Sequence, residues 1–121
     1  MKNKKILICD DEEGIRESLK LILSDFYEVI AVDNGEACLD VLKNTGANIG
    51  LVMMDIKMPK AHGLEVLPQI KTKHPGVPVI MVTGYRSVET AAEATRLGAS
   101  GYIVKPFKSE EILEKVKKNW E

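Results

Sequence analysis

A chain of 121 residues with 45% hydrophobic and 29% charged positions is sized for one domain built around one core. Its 17 basic and 18 acidic residues leave a formal net charge of −1, which gives no electrostatic ground for direct binding to nucleic acid or to an anionic membrane. No apolar stretch reaches membrane-spanning length, and the basic opening of Lys2, Lys4 and Lys5 runs into Ile6-Leu7-Ile8-Cys9-Asp10, which is too short and too charged for a secretory signal.

Lys4 to Asp10 reads as a strand, continuously apolar from Ile6 to Cys9. Asp10-Asp11-Glu12-Glu13 follows, and Ile15, Leu19, Ile22 and Leu23 then recur at helical spacing. Acids suit the positive end of a helix dipole, so this run has a structural reading beside any chemical one, and Glu12 reads either as a helix-start acid or as a control on metal access. Tyr27 to Val32 is the second strand, Asp33-Asn34-Gly35 a turn, and Ala37, Cys38, Val41 and Leu42 the inner face of a second helix. Ile49 to Asp55 is the third strand, apolar until its last residue, with a loop from Pro59 to Gly63. Leu64, Leu67, Ile70 and Lys71 mark a third helix that contains Pro68. A proline in a helix interior costs about 3 kcal/mol, so this helix is expected to begin late or to bend.

Pro75-Gly76 breaks the chain before a fourth strand, Val77 to Val82, which ends at Thr83-Gly84. Ser87 is the expected N-cap of a fourth helix, with Val88, Ala91, Ala92 and Thr95 on one face and Gly98 past its end. Gly101 to Val104 is the fifth strand, ending at Lys105-Pro106 before Phe107, a core residue. Ser109 is expected to cap a fifth helix whose apolar face is Ile112, Leu113, Val116 and Trp120. His62 and His74 fall in or beside loops and are expected at the surface, neither carrying phosphate. Cys9 and Cys38 lack metal-type spacing; a thiol in a buried strand is expected reduced, which with the missing signal places the protein in the cytoplasm. Five strands alternating with five helices, and no linker or repeat, give one doubly wound α/β domain over residues 1–121.

Parallel strands share one carboxyl edge, where open α/β sheets bind ligands. At that edge the first strand places Asp10 and Asp11, the third Asp55, the fourth Thr83 and the fifth Lys105. Each alone has an ordinary structural reading: Asp55 as a turn former, Lys105 as a solvated lysine, Tyr102 as a strand aromatic. Together, three carboxylates repel one another unless a cation sits among them. All-oxygen ligands favour Mg²⁺ over Zn²⁺. Carboxylates, a hard dication, a lysine and a hydroxyl are the parts that hold a phosphoryl group by its oxygens.

Asp10-Asp11, Asp55 with Pro59 and Gly63, Thr83-Gly84, Tyr102 and Lys105-Pro106-Phe107 resemble the receiver domain of two-component response regulators, over Lys4 to about Lys118. The stretch from Thr83 through Phe107 is most similar to receivers of the nitrogen-regulatory, sigma-54-activator class. The resemblance implies a five-stranded parallel sheet in the order 2-1-3-4-5 with five helices. It implies that Asp55 accepts phosphate from the phosphohistidine of a sensor histidine kinase or histidine phosphotransfer protein. Asp10, Asp11, Asp55 and the Lys57 backbone carbonyl would hold Mg²⁺, with Mn²⁺ as a substitute. Lys105 would pair with Asp55 and then with the phosphate, its bond to Pro106 cis. Thr83 and Tyr102 would switch a face formed by helix 4, strand 5 and helix 5, which would meet an output protein or domain or a second copy of the chain. Tyr85 and Lys57, two residues beyond Thr83 and Asp55, would set the lifetime of the phosphate.

Three other readings compete. A Mg²⁺-dependent phosphohydrolase of the haloacid dehalogenase kind would carry a second Asp two residues after its nucleophile, where Lys57 stands. A nucleotide or flavin binder would want a glycine- or hydroxyl-rich loop in place of Asp10-Asp11-Glu12-Glu13. A receiver-like interaction module without phosphorylation would not need the complete residue set.

Overall fold

The computed structural model describes residues 4–120, so Lys2 of the basic opening lies outside the described residues. Strands β1 (Lys5–Cys9), β2 (Glu28–Val32), β3 (Ile49–Met54), β4 (Val79–Thr83) and β5 (Gly101–Val104) alternate with helices α1 (Glu13–Leu23), α2 (Gly35–Thr45), α3 (Gly63–Lys73), α4 (Val88–Arg96) and α5 (Ser109–Asn119). All strand pairs are parallel, in the order β2-β1-β3-β4-β5. β1 and β3 are central, and the apolar side chains of both sheet faces are buried: Ile6, Leu7, Ile8, Leu51, Val52 and Met54 are fully enclosed. That is the pattern of a strand covered by helices on both sides.

The alternation of side chains along each strand divides the core in two. Leu7, Cys9, Val52, Met54, Val79 and Met81 face one layer, which includes Cys38, Leu42, Val66, Leu67 and Ile70 from α2 and α3. Ile6, Ile8, Leu51, Met53, Ile80 and Val82 face the other, which includes Leu19 and Leu23 of α1 and Ile112 and Val116 of α5, with Phe107 packed against it. Trp120 closes this layer, its ring centroid 4.7 Å from that of Tyr27. Cys9 and Cys38 are free thiols buried together, and burial first, then the neighbouring Cys38, pushes the Cys9 thiol up.

Several local expectations are corrected. α3 does not begin late: it starts at Gly63, and Pro68 sits in its interior. The lost N–H is tolerated because Val66, Leu67 and Ile70 on the same helix are completely buried, and because the start is fixed by His62 Nδ1 accepting from Leu64 N at 3.3 Å and Glu65 Oε1 accepting from His62 N at 3.2 Å. His62 is therefore a half-buried cap rather than a surface residue, and His74 is half-buried against Gly46. Ser87 does cap α4, its Oγ accepting from Thr90 N at 3.1 Å. The inner face of α4 is Ala94, with Leu97 just beyond, whereas Val88 is 81% exposed and Ala92 and Thr95 are exposed as well. Ser109 is the first residue of α5, which Lys108 precedes without a side-chain cap.

Candidate functional site

The carboxyl edge gathers its polar groups by extending the ladder one residue past each strand. Asp55 N donates to Cys9 O at 2.9 Å, Asp10 N to Val32 O at 3.1 Å and Lys105 N to Thr83 O at 2.8 Å. Those bonds hold the backbones of Asp10, Asp55 and Lys105 in register, so their side chains leave the sheet edge at fixed places. Asp10, Asp55 and Thr83 are the three buried polar side chains among the described residues, at 1%, 5% and 1% exposure. Burial of such groups calls for partners.

Each carboxylate is built into its own loop. Asp10 Oδ1 accepts from Glu12 N at 2.9 Å, turning the chain into α1. Arg16, one turn into α1, reaches back and donates from Nη1 to Asp10 O at 2.9 Å. Asp55 Oδ1 accepts from Ile56 N at 2.7 Å. The loop that follows is pinned by Gly63 N donating to Ile56 O at 2.7 Å and by Glu36 N donating to Lys60 O at 3.0 Å. Its turn puts Lys60 and Ala61 at φ of 52° and 96°, the left-handed region that side chains disfavour. At Gly63 a Cβ would overlap the Asp55 carbonyl, so only glycine lets the helix start this close to the strand.

Lys105 joins the set from the far strand. Its ammonium lies 2.9 Å from Asp55 Oδ2, 3.0 Å from Glu12 Oε1 and 2.9 Å from Asp10 Oδ2. The first two are aligned hydrogen bonds. The contact to Asp10 is an ion pair, and the ammonium is the one partner that the buried Oδ2 has. Burial by itself would push the lysine pKa down, but the carboxylates of Asp10, Asp55 and Glu12 outweigh it and push it up, so Lys105 is a permanent cation. The Asp10 carboxyl is pushed up, first by burial and last by the charge of Asp55, with Lys105 and the Glu12 N–H working against the rise. The Lys105–Pro106 bond is cis.

Asp55, Lys105, Thr83, Tyr85, Lys57 and Glu12 line one cleft of about 330 Å³. Asp11 opens on the other side, into a cleft shared with Asp33, Asn34, Pro59 and Lys60. One oxygen from each of Asp10, Asp11, Glu12 and Asp55 lies within 4.8 Å of the others, a spacing a single cation can bridge. The spacing of these acids and the all-oxygen donor set fit a hard divalent ion such as Mg²⁺. Thr83 Oγ1 accepts from Tyr85 N at 3.3 Å, and Tyr102 Oη donates to Tyr85 O at 3.0 Å, so both sides of one peptide residue are held by the two groups expected to switch. Burial, then the charge of Asp55, pushes the Tyr102 phenol up.

Asp10, Asp11, Asp55, Lys57, Thr83, Tyr85, Tyr102, Lys105 and Pro106 thus lie at or beside this edge. Sequence reasoning missed three contacts: Glu12 on Lys105, Arg16 on the Asp10 carbonyl, and Arg86, whose Nη2 donates to Lys105 O at 3.2 Å. Arg16 had a usable signal, since helical side chains lean toward the N-terminus and so toward the acids. The other two cross between strand ends and had none.

Residues 6–117 match the family model described as the response regulator receiver domain. The chain is 39% identical over 113 residues to the response regulator protein FleR of Pseudomonas aeruginosa, covering 93% of this chain but 24% of that protein. It is 36% identical over 119 residues to sporulation initiation phosphotransferase F of Bacillus subtilis, covering 98% of this chain and 94% of that one. Among solved structures, a CheY in a CheX-CheY-BeF₃-Mg complex from Borrelia burgdorferi superposes with a TM-score of 0.91 at 28% identity, over 97% of this chain and 89% of that one. These matches do not favour the phosphohydrolase, nucleotide-binding or phosphorylation-independent readings.

Proposed function

This chain belongs to the response regulator receiver family, a signal-transduction domain of two-component systems, and from that premise we propose that Asp55 is its phosphoacceptor. The observation that carries the assignment is the Lys105 ammonium shared between Asp55 and Asp10, beside the Thr83 hydroxyl and at the mouth of an open cleft. An Asp55 carboxylate oxygen attacks phosphorus of a phosphohistidine. The O–P bond forms as the P–N bond breaks, and the freed imidazole nitrogen keeps the electron pair and takes a proton. Lys105 and Thr83 donate to the phosphoryl oxygens, supplying fixed charge and dipoles where negative charge gathers. Asp10, Asp11, Asp55 and the Lys57 carbonyl would hold Mg²⁺, or Mn²⁺ in its place. Bound there, the ion neutralises charge shared by the carboxylates and the phosphoryl group. Support comes from the spacing of the acids and from a relative whose structure is a BeF₃-Mg complex.

The phosphate draws the Thr83 hydroxyl away from Tyr85 N, and the loop into α4 resettles with Tyr102 following it. α4 is the element such a shift moves most easily, since it buries one residue. Its exposed Val88, with Tyr85, would offer the α4–β5–α5 face to an output protein or domain, or to a second copy. The phosphate donor would be a sensor histidine kinase or a histidine phosphotransfer protein, and the setting the cytoplasm; no described helix is long and apolar enough to cross a membrane. The domain is not itself an enzyme on other substrates, but it promotes its own phosphorylation and slow dephosphorylation. Tyr85 and Lys57 flank the cleft and would set how fast water reaches the acyl phosphate, so Tyr85→Ala should shorten its lifetime.

Intact mass after incubation with acetyl phosphate and Mg²⁺ tests the assignment. The wild type should gain one phosphate, and Asp55→Asn, or the wild type without metal, should gain none. Labelling that persists in Asp55→Asn would overturn it.

A further inference from the structure

We propose that Glu12 is a positioning residue that occupies, in the resting site, the place on Lys105 that a phosphoryl oxygen later takes. The proposal rests on the assignment of Asp55 as phosphoacceptor. Lys105 has carboxylate oxygens on three sides at 2.9, 2.9 and 3.0 Å, so an incoming phosphoryl oxygen must displace one of them. The side chains of Asp10 and Asp55 are 2% and 7% exposed, whereas that of Glu12 is 62% exposed. Until the O–P bond forms, Asp55 is still a carboxylate, and releasing it or Asp10 would strand a buried charge; releasing Glu12 returns its carboxylate to water at small cost.

The geometry also says which side of the site Glu12 serves. It lines the cleft of Asp55, Thr83 and Lys105, into which the phosphoryl group must come, and not the cleft lined by Asp11. It therefore stands in for the anion: it keeps Lys105 aimed at Asp55 while the site is empty, and it adds a negative charge that a phosphate donor must meet. Glu12 is thus a competitive, displaceable partner of Lys105; its oxygen also lies within 4.8 Å of those of Asp10, Asp11 and Asp55, and Mg²⁺ affinity separates the two roles.

Initial rates of phosphorylation would be followed by intact mass against acetyl phosphate concentration for wild type, Glu12→Gln and Glu13→Gln, with Mg²⁺ affinity measured in parallel by calorimetry. Glu13 is the neighbouring acid in the first turn of α1 and serves as the control for net charge. Glu12→Gln should lower the KM for acetyl phosphate by roughly two- to fivefold, the range of an exposed ion pair. Its maximal rate should stay within about twofold of wild type, its Mg²⁺ affinity within about threefold, and Glu13→Gln should match the wild type, as expected of a screened exposed charge. An unchanged or raised KM in Glu12→Gln, an equal fall in Glu13→Gln, or a larger loss of Mg²⁺ affinity, which would make Glu12 a ligand, overturns the proposal while leaving Asp55 in its role. A wild type that takes no phosphate overturns both.

Discussion

α3 and α4 follow adjacent strands and lead away from the same functional edge, yet they are held very differently. α3 encloses Val66, Leu67 and Ile70 completely, its start is capped on both sides, and the loop before it is bonded back to Ile56 and to α2. α4 encloses only Ala94, exposes Val88 and carries a run of exposed residues from Gly84 to Glu89 at its entrance. Two bonds tie that entrance to β5: Tyr102 to the Tyr85 carbonyl, and Arg86 to the Lys105 carbonyl. The phosphoacceptor loop thus sits on the tightly packed element, where geometry must hold within fractions of an ångström, and the hydroxyl that senses phosphate leads into the loosely packed one. Local stability is distributed according to task.

The most severe way to break that contrast is at Gly63. Gly63→Ala places a methyl against the Asp55 and Ile56 backbone and should cost roughly 3 kcal/mol or more in urea unfolding, with loss of phosphorylation in whatever remains folded. Leu67→Ala should cost about 2–5 kcal/mol, against about 1–2 kcal/mol for Ala94→Gly in α4. Equal costs would refute the contrast, as would equal hydrogen-exchange protection of the two helices.

A smaller effect of opposite sign is expected at Asp10. Its carboxyl is raised from 3.8 in the fold, so the folded state holds the proton more tightly and loses stability as pH climbs from about 4 through the raised value. Without divalent metal, Asp10→Asn should therefore melt above the wild type at neutral pH, and level with it at acid pH below the ordinary carboxylate range. Added Mg²⁺ should narrow or reverse the gap. The smallest effect is at Tyr102→Phe, which removes one exposed hydrogen bond and should cost about 0.5–1.5 kcal/mol or less. Its signature should be faster amide exchange at Tyr85 and the start of α4 with α3 unaffected.

Much of this was legible in the one-dimensional pattern. Apolar runs of strand length ending in Asp10, Asp55, Thr83 and Lys105, separated by helical periodicities, suffice to predict the alternating α/β order and to bring those four residues to one edge. Where reading by pattern failed, the pattern was weak or a second element overrode it. In α4 small residues occur all round the helix, so the pattern offers Val88, Ala91, Ala92 and Thr95 as one inner face without Ala94, and only contact with the sheet shows Ala94 to be the buried one. At Pro68 the local cost of proline is real, but burial of its neighbours outweighs it.

By itself, then, the sequence determined the elements, their parallel arrangement and the chemistry offered at each strand end, because those depend on periodicity and on residues close in the chain. Only the tertiary structure decided that Lys105 meets Glu12 as well as Asp10 and Asp55, that one oxygen of Asp10 depends on that lysine alone, and that Thr83 and Tyr102 grip the same residue. Those facts depend on side-chain reach across loops from different strands, and separations within an ångström decide whether a charge is paired, orphaned or free to be displaced.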